Sequence, residues 1–312
     1  MSRSELEFIQ NIKSKFSLTK VGDDCAILPK HDKTDLLMTA DMLVENIDFR
    51  LDWTTPEFLG HKALAVSLSD IAAMGGKAVW SMLSIGVPEN LWKTDFVDRL
   101  YDGWFALARE FSVELVGGDV SRTPDKVVID SIVGGEVDKG RAILRSTAKP
   151  GDAIFLTGTL GGAAGGLKLL ESGARNTDGL LLKQLQPEPQ LINSNLLQQL
   201  GIANSMIDIS DGLSSDLRHV CEASGVGSLL TAERLPIHAD LPAHFPADEC
   251  FDMTLNGGED FELLFTVSKK NISHLDLPQF TRIGEVTSNV GIIELSIDGY
   301  TRVLQPKGYQ HF

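Results

Sequence analysis

The chain has 312 residues, of which 43% are apolar and 23% charged, so it is long enough for one large or two ordinary domains with a substantial core. Its net charge of -15 argues against nucleic acid or an anionic membrane as partner, because both are bound through basic patches. No apolar run nears the ~20 residues that span a bilayer, and no apolar segment opens the chain, which predicts a cytoplasmic protein.

In chain order, Leu6, Ile9, Ile12 and Phe16 recur at helical spacing and predict a short amphipathic helix. Residues 36–40 predict a strand that ends by delivering Asp41. Thr55-Pro56 predicts a helix start, Thr as cap and Pro in the first turn. That helix passes Leu59, Ala63 and Val66 towards Ile71 and stops at Gly75-Gly76, with Asp70 near its C-terminal end. The helix dipole disfavours an anion there, so a bound cation would offset a cost. A buried strand is expected over 80–87, then a helix capped by Asn90 with Phe96, Leu100, Trp104, Leu107 and Phe111 on its face. Strands are expected over 113–116, ending at Gly117-Gly118-Asp119, and over 127–133. The charged, apolar-poor stretch 138–152 is the best boundary, dividing the chain into 1–140 and 141–312. The second part predicts a strand over 153–156, a glycine-rich stretch over 158–166 leading into a helix through Leu167 and Leu170, and a strand over 206–209. A helix with Leu213, Leu217, Val220 and Cys221 on one face then stops at Gly225, and strands follow over 261–267 and 292–297. The class is α/β or α+β with two domains.

Carboxylates stand beside glycine or serine at six places: Gly22-Asp23-Asp24, Thr39-Ala40-Asp41, Ser69-Asp70, Gly117-Gly118-Asp119, Asp208-Ile209-Ser210-Asp211-Gly212 and Gly257-Gly258-Glu259-Asp260. Most follow a short apolar run, which puts an acid where a strand ends. If the fold gathers them they repel, by ~4 kcal/mol for a unit pair about 4 Å apart at an effective dielectric near 20. Either some stay protonated or cations fill the site. Oxygen-only ligands suit Mg²⁺, which takes a few carboxylates plus substrate phosphates, so the pattern points to a Mg²⁺–nucleotide enzyme.

Asp208 and Asp211 can reach one cation around a turn, with Ser210 free to donate to a phosphate; the alternative is an aspartate capping the next helix. The stretch 158–166 can cradle phosphate through backbone N–H groups or pack helix tightly on strand. It lacks the Gly-Lys-Ser/Thr of a P-loop, and the chain has no dinucleotide or protein-kinase signature. Asn256-Gly257-Gly258-Glu259 is either a ligand-approach turn or a hairpin with exposed acids. Arg145 is the best basic phosphate contact, or else a surface arginine at the domain boundary. The seven histidines show no zinc spacing. Cys25, Cys221 and Cys250 fit no metal or redox motif, as in a reducing compartment; Cys25 is expected to be a small buried thiol.

Taken together in order and spacing, these motifs resemble the thiamine-monophosphate kinase family of the aminoimidazole-ribonucleotide-synthetase-like superfamily. The resemblance covers nearly the whole chain, from Val21-Gly22-Asp23-Asp24-Cys25-Ala26 through Ser67-Leu68-Ser69-Asp70 and Gly257-Gly258-Glu259-Asp260-Phe261-Glu262-Leu263 to Gly308-Tyr309-Gln310-His311-Phe312. It implies an N-terminal Mg/ATP-binding and dimerisation domain (1–140) and a C-terminal domain (141–312) with a mixed sheet and helices. The N-terminal sheets of two chains would pair into a barrel in a homodimer. The implied reaction is direct in-line phosphorylation of thiamine monophosphate by ATP, with no phosphoenzyme. Carried over by motif, Asp24, Thr39, Asp41, Asp70, Asp119, Asp208 and Asp211 would hold several Mg²⁺ ions, and Ala40 would contribute only backbone. Asp41, Asp70, Asp119 and Asp208 would carry catalysis. Tyr101, Gly118, Asp119, Arg145 and Ser210 would contact ATP, and Glu259 and Tyr309 the thiamine part. Asp48 takes the place where the family often has a histidine near the substrate, and Val120 follows Gly-Gly-Asp where threonine is common, with Ser121 next to it.

Rival readings are another ATP-dependent enzyme of the superfamily, such as aminoimidazole ribonucleotide synthetase or selenophosphate synthetase, and a non-catalytic Ca²⁺-binding protein. Cys25 sits late and beside Asp24, unlike the reactive residue of selenophosphate synthetase, and no EF-hand spacing supports the last.

Overall fold

The computed structural model describes residues 5–20, 22–175, 179–275 and 277–309. Val21 and the tail residues Gln310, His311 and Phe312 of the motifs lie outside the described residues. The chain runs α1 (Glu5–Lys15), β1 (Ala26–Pro29), β2 (Thr34–Val44), α2 (Pro56–Ala73), β3 (Lys77–Pro88), α3 (Glu89–Trp92), α4 (Phe96–Phe111), β4 (Glu114–Thr123) and β5 (Val128–Asp138). It continues with β6 (Ala153–Thr157), α5 (Gly162–Glu171), α6 (Leu180–Leu185), α7 (Leu191–Leu200), β7 (Ala203–Asp208), α8 (Leu213–Ser224) and β8 (Gly227–Thr231). Last come α9 (Ala247–Asn256), β9 (Leu263–Val267), β10 (Phe280–Thr287), β11 (Ile293–Ile297) and β12 (Tyr300–Val303). The first five strands form one sheet in the order β1-β2-β5-β3-β4, antiparallel except for β3 beside β4. The other seven form a second sheet, β12-β11-β8-β10-β6-β9-β7, antiparallel except for β8 beside β11. The first sheet is open, with β1 and β4 as its edges. Among the described residues no helix is long and apolar enough to cross a membrane.

α2 joins the two sheets. Thr55 caps it, its hydroxyl accepting from Phe58 N–H at 3.3 Å, and Pro56 opens its first turn. Gly75, in the left-handed region at φ +71°, ends it. Nearly every side chain from Leu59 to Ser69 is buried, because the helix lies among the first sheet, α4, α7 and β7. Its crossing with α4 is close: a Cβ on Gly60 would lie 1.9 Å from Leu100 O, and one on Gly103 1.9 Å from Glu57 O. Only glycine permits that approach. In the second sheet the two-residue alternation of β6, β7 and β9 splits their apolar side chains between two cores. Phe155, Met206 and Phe265 pack with α2, while Ile154, Leu156, Ile207 and Leu264 pack with α8.

Several expected boundaries move. β2 does not end at Asp41 but runs on to Val44. The inward carboxylate is tolerated in mid-strand because Ser67 of α2 donates to it. β4 likewise continues through Gly117-Gly118-Asp119 to Thr123, held by parallel pairing to β3. Asn90 caps nothing: it lies inside the short α3, and α4 begins at Phe96 after Asp95. β9 starts at Leu263 rather than 261, since Phe261 has φ +50°, which no strand accepts.

Candidate active site

The loop before β1, the middle of β2, the end of α2 and the end of β7 converge. Carboxylate oxygens of Asp24, Asp70 and Asp208 all lie within 4.8 Å of one another. Each acid has a partner chosen by the fold. Arg145 grips Asp24 with two parallel bonds, at 2.6 and 3.0 Å, and its backbone N–H donates to Asp23 at 2.8 Å. Ser69 Oγ donates to Asp208 at 2.6 Å, Thr39 Oγ1 donates to Asp70, and Ser67 Oγ donates to Asp41 at 2.7 Å.

One arginine does not balance these acids. Burial, and then the charges of Asp41, Asp208 and Asp24, push the Asp70 carboxyl well above the usual carboxylate range. Burial, and then Asp24, push Asp208 up to about 8, against the lowering by Ser69 and Arg145. Asp41 is raised chiefly by burial. Proteins relieve such a deficit with protons or with cations. The donors are hard oxygens at mutually short range, the set that suits Mg²⁺. Asp70 also lies in the last turn of α2, where backbone carbonyls add negative potential.

Beside the cluster lies a cavity of about 790 Å³. Asp41, Asp48, Ser210, Asp211, Glu259 and Tyr309 all line it. Asp41 therefore belongs to both, lining the cavity while its charge acts on Asp70. The two glycine-rich motifs form one wall. Glu259 N–H donates to Ser210 O and Phe261 N–H to Ile209 O, both at 2.8 Å. A Cβ on Gly258 would stand 2.5 Å from Ser210 O, so this close approach needs glycine. Glu259 is itself left-handed at φ +66°, a conformation that costs energy and is held by its surroundings. Tyr309 N–H donates to Asp211 O at 3.1 Å, which brings the tail onto the same wall.

Other expected residues go elsewhere. Gly118 and Asp119 stand on the exposed edge strand β4. Asp41 pairs with Ser131, Ser131 with Leu83, and Leu83 with Gly118. Three strand spacings of ~4.8 Å put Gly118 about 14 Å from Asp41. Tyr101, on α4, is half-buried against Phe105 and does not line the cavity. Asp48 lines it, but one of its oxygens accepts from Val44 N–H at 2.7 Å and closes the turn after β2. Arg145 is no surface arginine. The stretch 158–166 is packing, not a phosphate cradle. Asp260 already accepts from Gly161 and Ala163 N–H, at 2.6 and 3.0 Å, and fills the start of α5. A Cβ on Gly166 would meet Leu180 O at 2.1 Å.

Sequence reasoning missed Ser67 and Ser69 as donors to the acids, and Asp23 and Asp216 as carboxylates that hold the Arg145 backbone and the loop 208–212. Asp216 is buried and accepts from Asp211 and Gly212 N–H, at 3.2 and 3.0 Å, fixing the loop 208–212. It lies within reach of Asp211 and His219. It also missed Lys62 and Gln184, both bound to Glu259. For Lys62 a signal existed: one lysine within the apolar run 59–66. Cys25 is buried, as expected, and burial pushes its thiol pKa far up.

The N-terminal domain of AIR synthase related proteins matches residues 22–137, and their C-terminal domain matches residues 149–294. The chain is 39% identical over 306 residues to the thiamine-monophosphate kinase of Bacillus subtilis (strain 168), covering 94% of this chain and 93% of that one. It is equally identical over 306 residues to that of Escherichia coli (strain K12), covering 94% and 91%. Among solved structures it is similar to AaThiL complexed with AMPPCP and TMP, with a TM-score of 0.89, 32% identity, and coverage of 100% of this chain and 99% of that one.

Proposed function

Since the chain belongs to the AIR-synthase-related family and, within it, to the thiamine-monophosphate kinases, we propose that it phosphorylates thiamine monophosphate to thiamine diphosphate with ATP. The observation that carries this reading is the largely buried Asp24–Asp70–Asp208 cluster joined through Asp41 to a cavity of acceptor size. The acceptor is a phosphate monoester with a second pKa of about 6, already ionised near neutral pH. It brings its own nucleophile and needs no strong base. The obstacle is the approach of two anions, so catalysis is positioning and charge neutralisation.

Asp24, Asp41, Asp70 and Asp208 would hold Mg²⁺, which supplies neutralisation of the phosphoryl oxygens when bound. Thr39, Ser67 and Ser69 orient those carboxylates. Arg145 fixes Asp24 and presents its remaining N–H groups to the nucleotide. Ser210, on the cavity wall, donates to a phosphate, and Asp211 supplies a further ligand. Glu259 and Tyr309 receive the thiamine rings. Transfer is a single in-line displacement. The three free, buried cysteines suit a reducing cytoplasm. ADP release on adding thiamine monophosphate to enzyme, ATP and Mg²⁺ tests the reading. Free thiamine should release little, because its hydroxyl lacks the phosphate the site orients. Equal turnover of both would overturn it.

The protein acts as a homodimer through its first sheet, whose strands form a barrel with those of a second copy. Two observations support this. The face of that sheet away from α2 exposes Met42 and Met82, and the edge strand β4 exposes Val116 and Val120. Asp119 also lies too far from Asp41 to share an ion within one chain, so Asp119 of the partner subunit completes each site. Coexpression of Asp119→Asn with Asp208→Asn subunits should restore about a quarter of wild-type activity, because half the dimers then carry one intact site. No restoration above the single variants would place Asp119 in its own chain's site or in none.

A further inference from the structure

At the end of the cavity where α2 carries Lys62, about two turns before Asp70, Glu259 is already engaged. Lys62 Nζ lies 2.8 Å from its Oε1. Gln184 Nε2 donates to its Oε2. Lys62 also donates to the backbone carbonyl of Gln184 at 3.4 Å. Three elements meet here: α2, α6 and the loop after α9. The lysine side chain is only 5% exposed and that of Glu259 31%. A lysine this buried is held only when it is paired.

The pairing decides what Glu259 offers a ligand. Unpaired, it would attract any cation, including the metal ions needed at the other end. Paired with Lys62 it contributes no net charge to the floor of the cavity. It remains a hydrogen-bond acceptor, since a carboxylate has about four lone-pair sites and the two partners take two. Gln184 has two amide N–H groups and gives one to Glu259. An acceptor and a donor therefore stand side by side. Their complement is an amino group next to a ring nitrogen, as on an aminopyrimidine. Phe49, Trp53, Leu170 and Phe261 supply apolar walls for a flat ring. The distance also fits. Leu59, Lys62 and Val66 line the cavity from one face of α2, and Asp70 follows on that helix. Eight residues at 1.5 Å set Lys62 about 12 Å along the axis from Asp70, the span between the pyrimidine and the phosphate of an extended thiamine monophosphate.

We propose that Lys62 and Gln184 are specificity-determining residues that, with Glu259, read the amino-pyrimidine edge of the acceptor by hydrogen bonds, Lys62 cancelling the charge of Glu259. This rests on the reading of the cavity as the acceptor site.

Steady-state kinetics of the full-length enzyme test it, with thiamine monophosphate and with its analogue bearing oxygen in place of the pyrimidine 4-amino group. The wild type should prefer the amino form by on the order of a hundredfold in kcat/KM, because a site built for a hydrogen bond rejects a ligand that lacks it. Gln184→Leu should raise the acceptor KM about tenfold, leave the KM for ATP unchanged and shrink the preference to a few-fold. Lys62→Met should also raise the acceptor KM about tenfold, by leaving the half-buried Glu259 carboxylate without its counter-charge. The double variant Lys62→Met/Glu259→Gln, neutral and with its acceptor oxygen kept, should return closer to the wild-type KM, and it remains informative if the single lysine variant fails to fold. An unchanged acceptor KM and preference in Gln184→Leu, together with a double variant no better than Lys62→Met or with no acceptor preference, would overturn the proposal. A wild type that does not turn over thiamine monophosphate would overturn the functional reading itself, and this proposal with it.

Discussion

Asp70→Asn and Asp208→Asn should each lower kcat by about a hundredfold or more, equivalent to ~3 kcal/mol of transition-state stabilisation. Asparagine keeps the volume and one acceptor oxygen of each side chain. Thr39 can still donate at position 70 and Ser69 at position 208, so the local hydrogen bonds survive. What is lost is one negative charge from three carboxylates whose oxygens lie within 4.8 Å of one another. Because each of these carboxyls must either bear a repelled charge or take up a proton when no cation is bound, the metal-free variants should melt higher than the wild type near neutral pH and above, even as their Mg²⁺ requirement rises. That combination separates a lost metal ligand from a damaged fold. Steady-state rates against Mg²⁺ concentration and melting curves in chelator provide both readouts. Near-wild-type rates in both variants would sink the shared-metal site.

The parts of this site that were legible in the sequence are those whose physics is local. Thr55-Pro56 and Gly75 mark the ends of α2 because capping and left-handed geometry involve adjacent residues. Asp208 and Asp211 stand out because a glycine follows them and a strand leads in. What stayed hidden is what long-range contact decides. Arg145 reads as a phosphate contact or else a boundary arginine, yet its partner Asp24, 121 positions away, is not legible locally. Ser69 meets Asp208 across 139 positions. The glycine-rich stretch before α5 has the composition of an anion cradle, and the carboxylate that fills it, Asp260, comes from nearly 100 positions on. The strand ends at Asp41 and Asp119 were misplaced for a related reason. A lone acid breaks the local apolar pattern, but pairing with β5 and with β3 carries the backbone onward. α6 and α7 went unread: neither has a side-chain cap at its start, and α5 and α8, which also lack one, are legible from their glycines.

The metal-free protein should lose stability as pH rises from about 6.5 to 8.5, and Mg²⁺ should restore more at the upper end. The sign follows from the shifts. A carboxyl whose folded pKa lies above its unfolded value holds its proton longer in the folded chain. Its contribution is fully present below the unfolded value near 4 and is lost as pH rises through the folded value. Asp208 makes that transition near pH 8, Asp260 and Glu262 near 7, and Asp70, Asp41 and Asp216 shift in the same direction. Three histidines oppose them. Burial, aided by Arg145, holds His219 near 4, and burial also lowers His61 and His238. These gain stability between about 4 and 6.5, where they offset the acids, so the decline shows cleanly only above 6.5. The acids with lowered values, Asp35, Asp52 and Glu57, titrate below this window. A cation at the cluster competes with the protons on Asp70 and Asp208, so its binding releases them and strengthens with pH. Melting curves in chelator should fall by about 5 °C or more between pH 6.5 and 8.5. The increment from Mg²⁺ should be larger at pH 8.5, and Asp208→Asn should flatten both trends. A metal-free profile that is level across this range, with an increment from Mg²⁺ that does not vary with pH, would show that the buried acids are not held protonated and that the cluster is not where the ion binds.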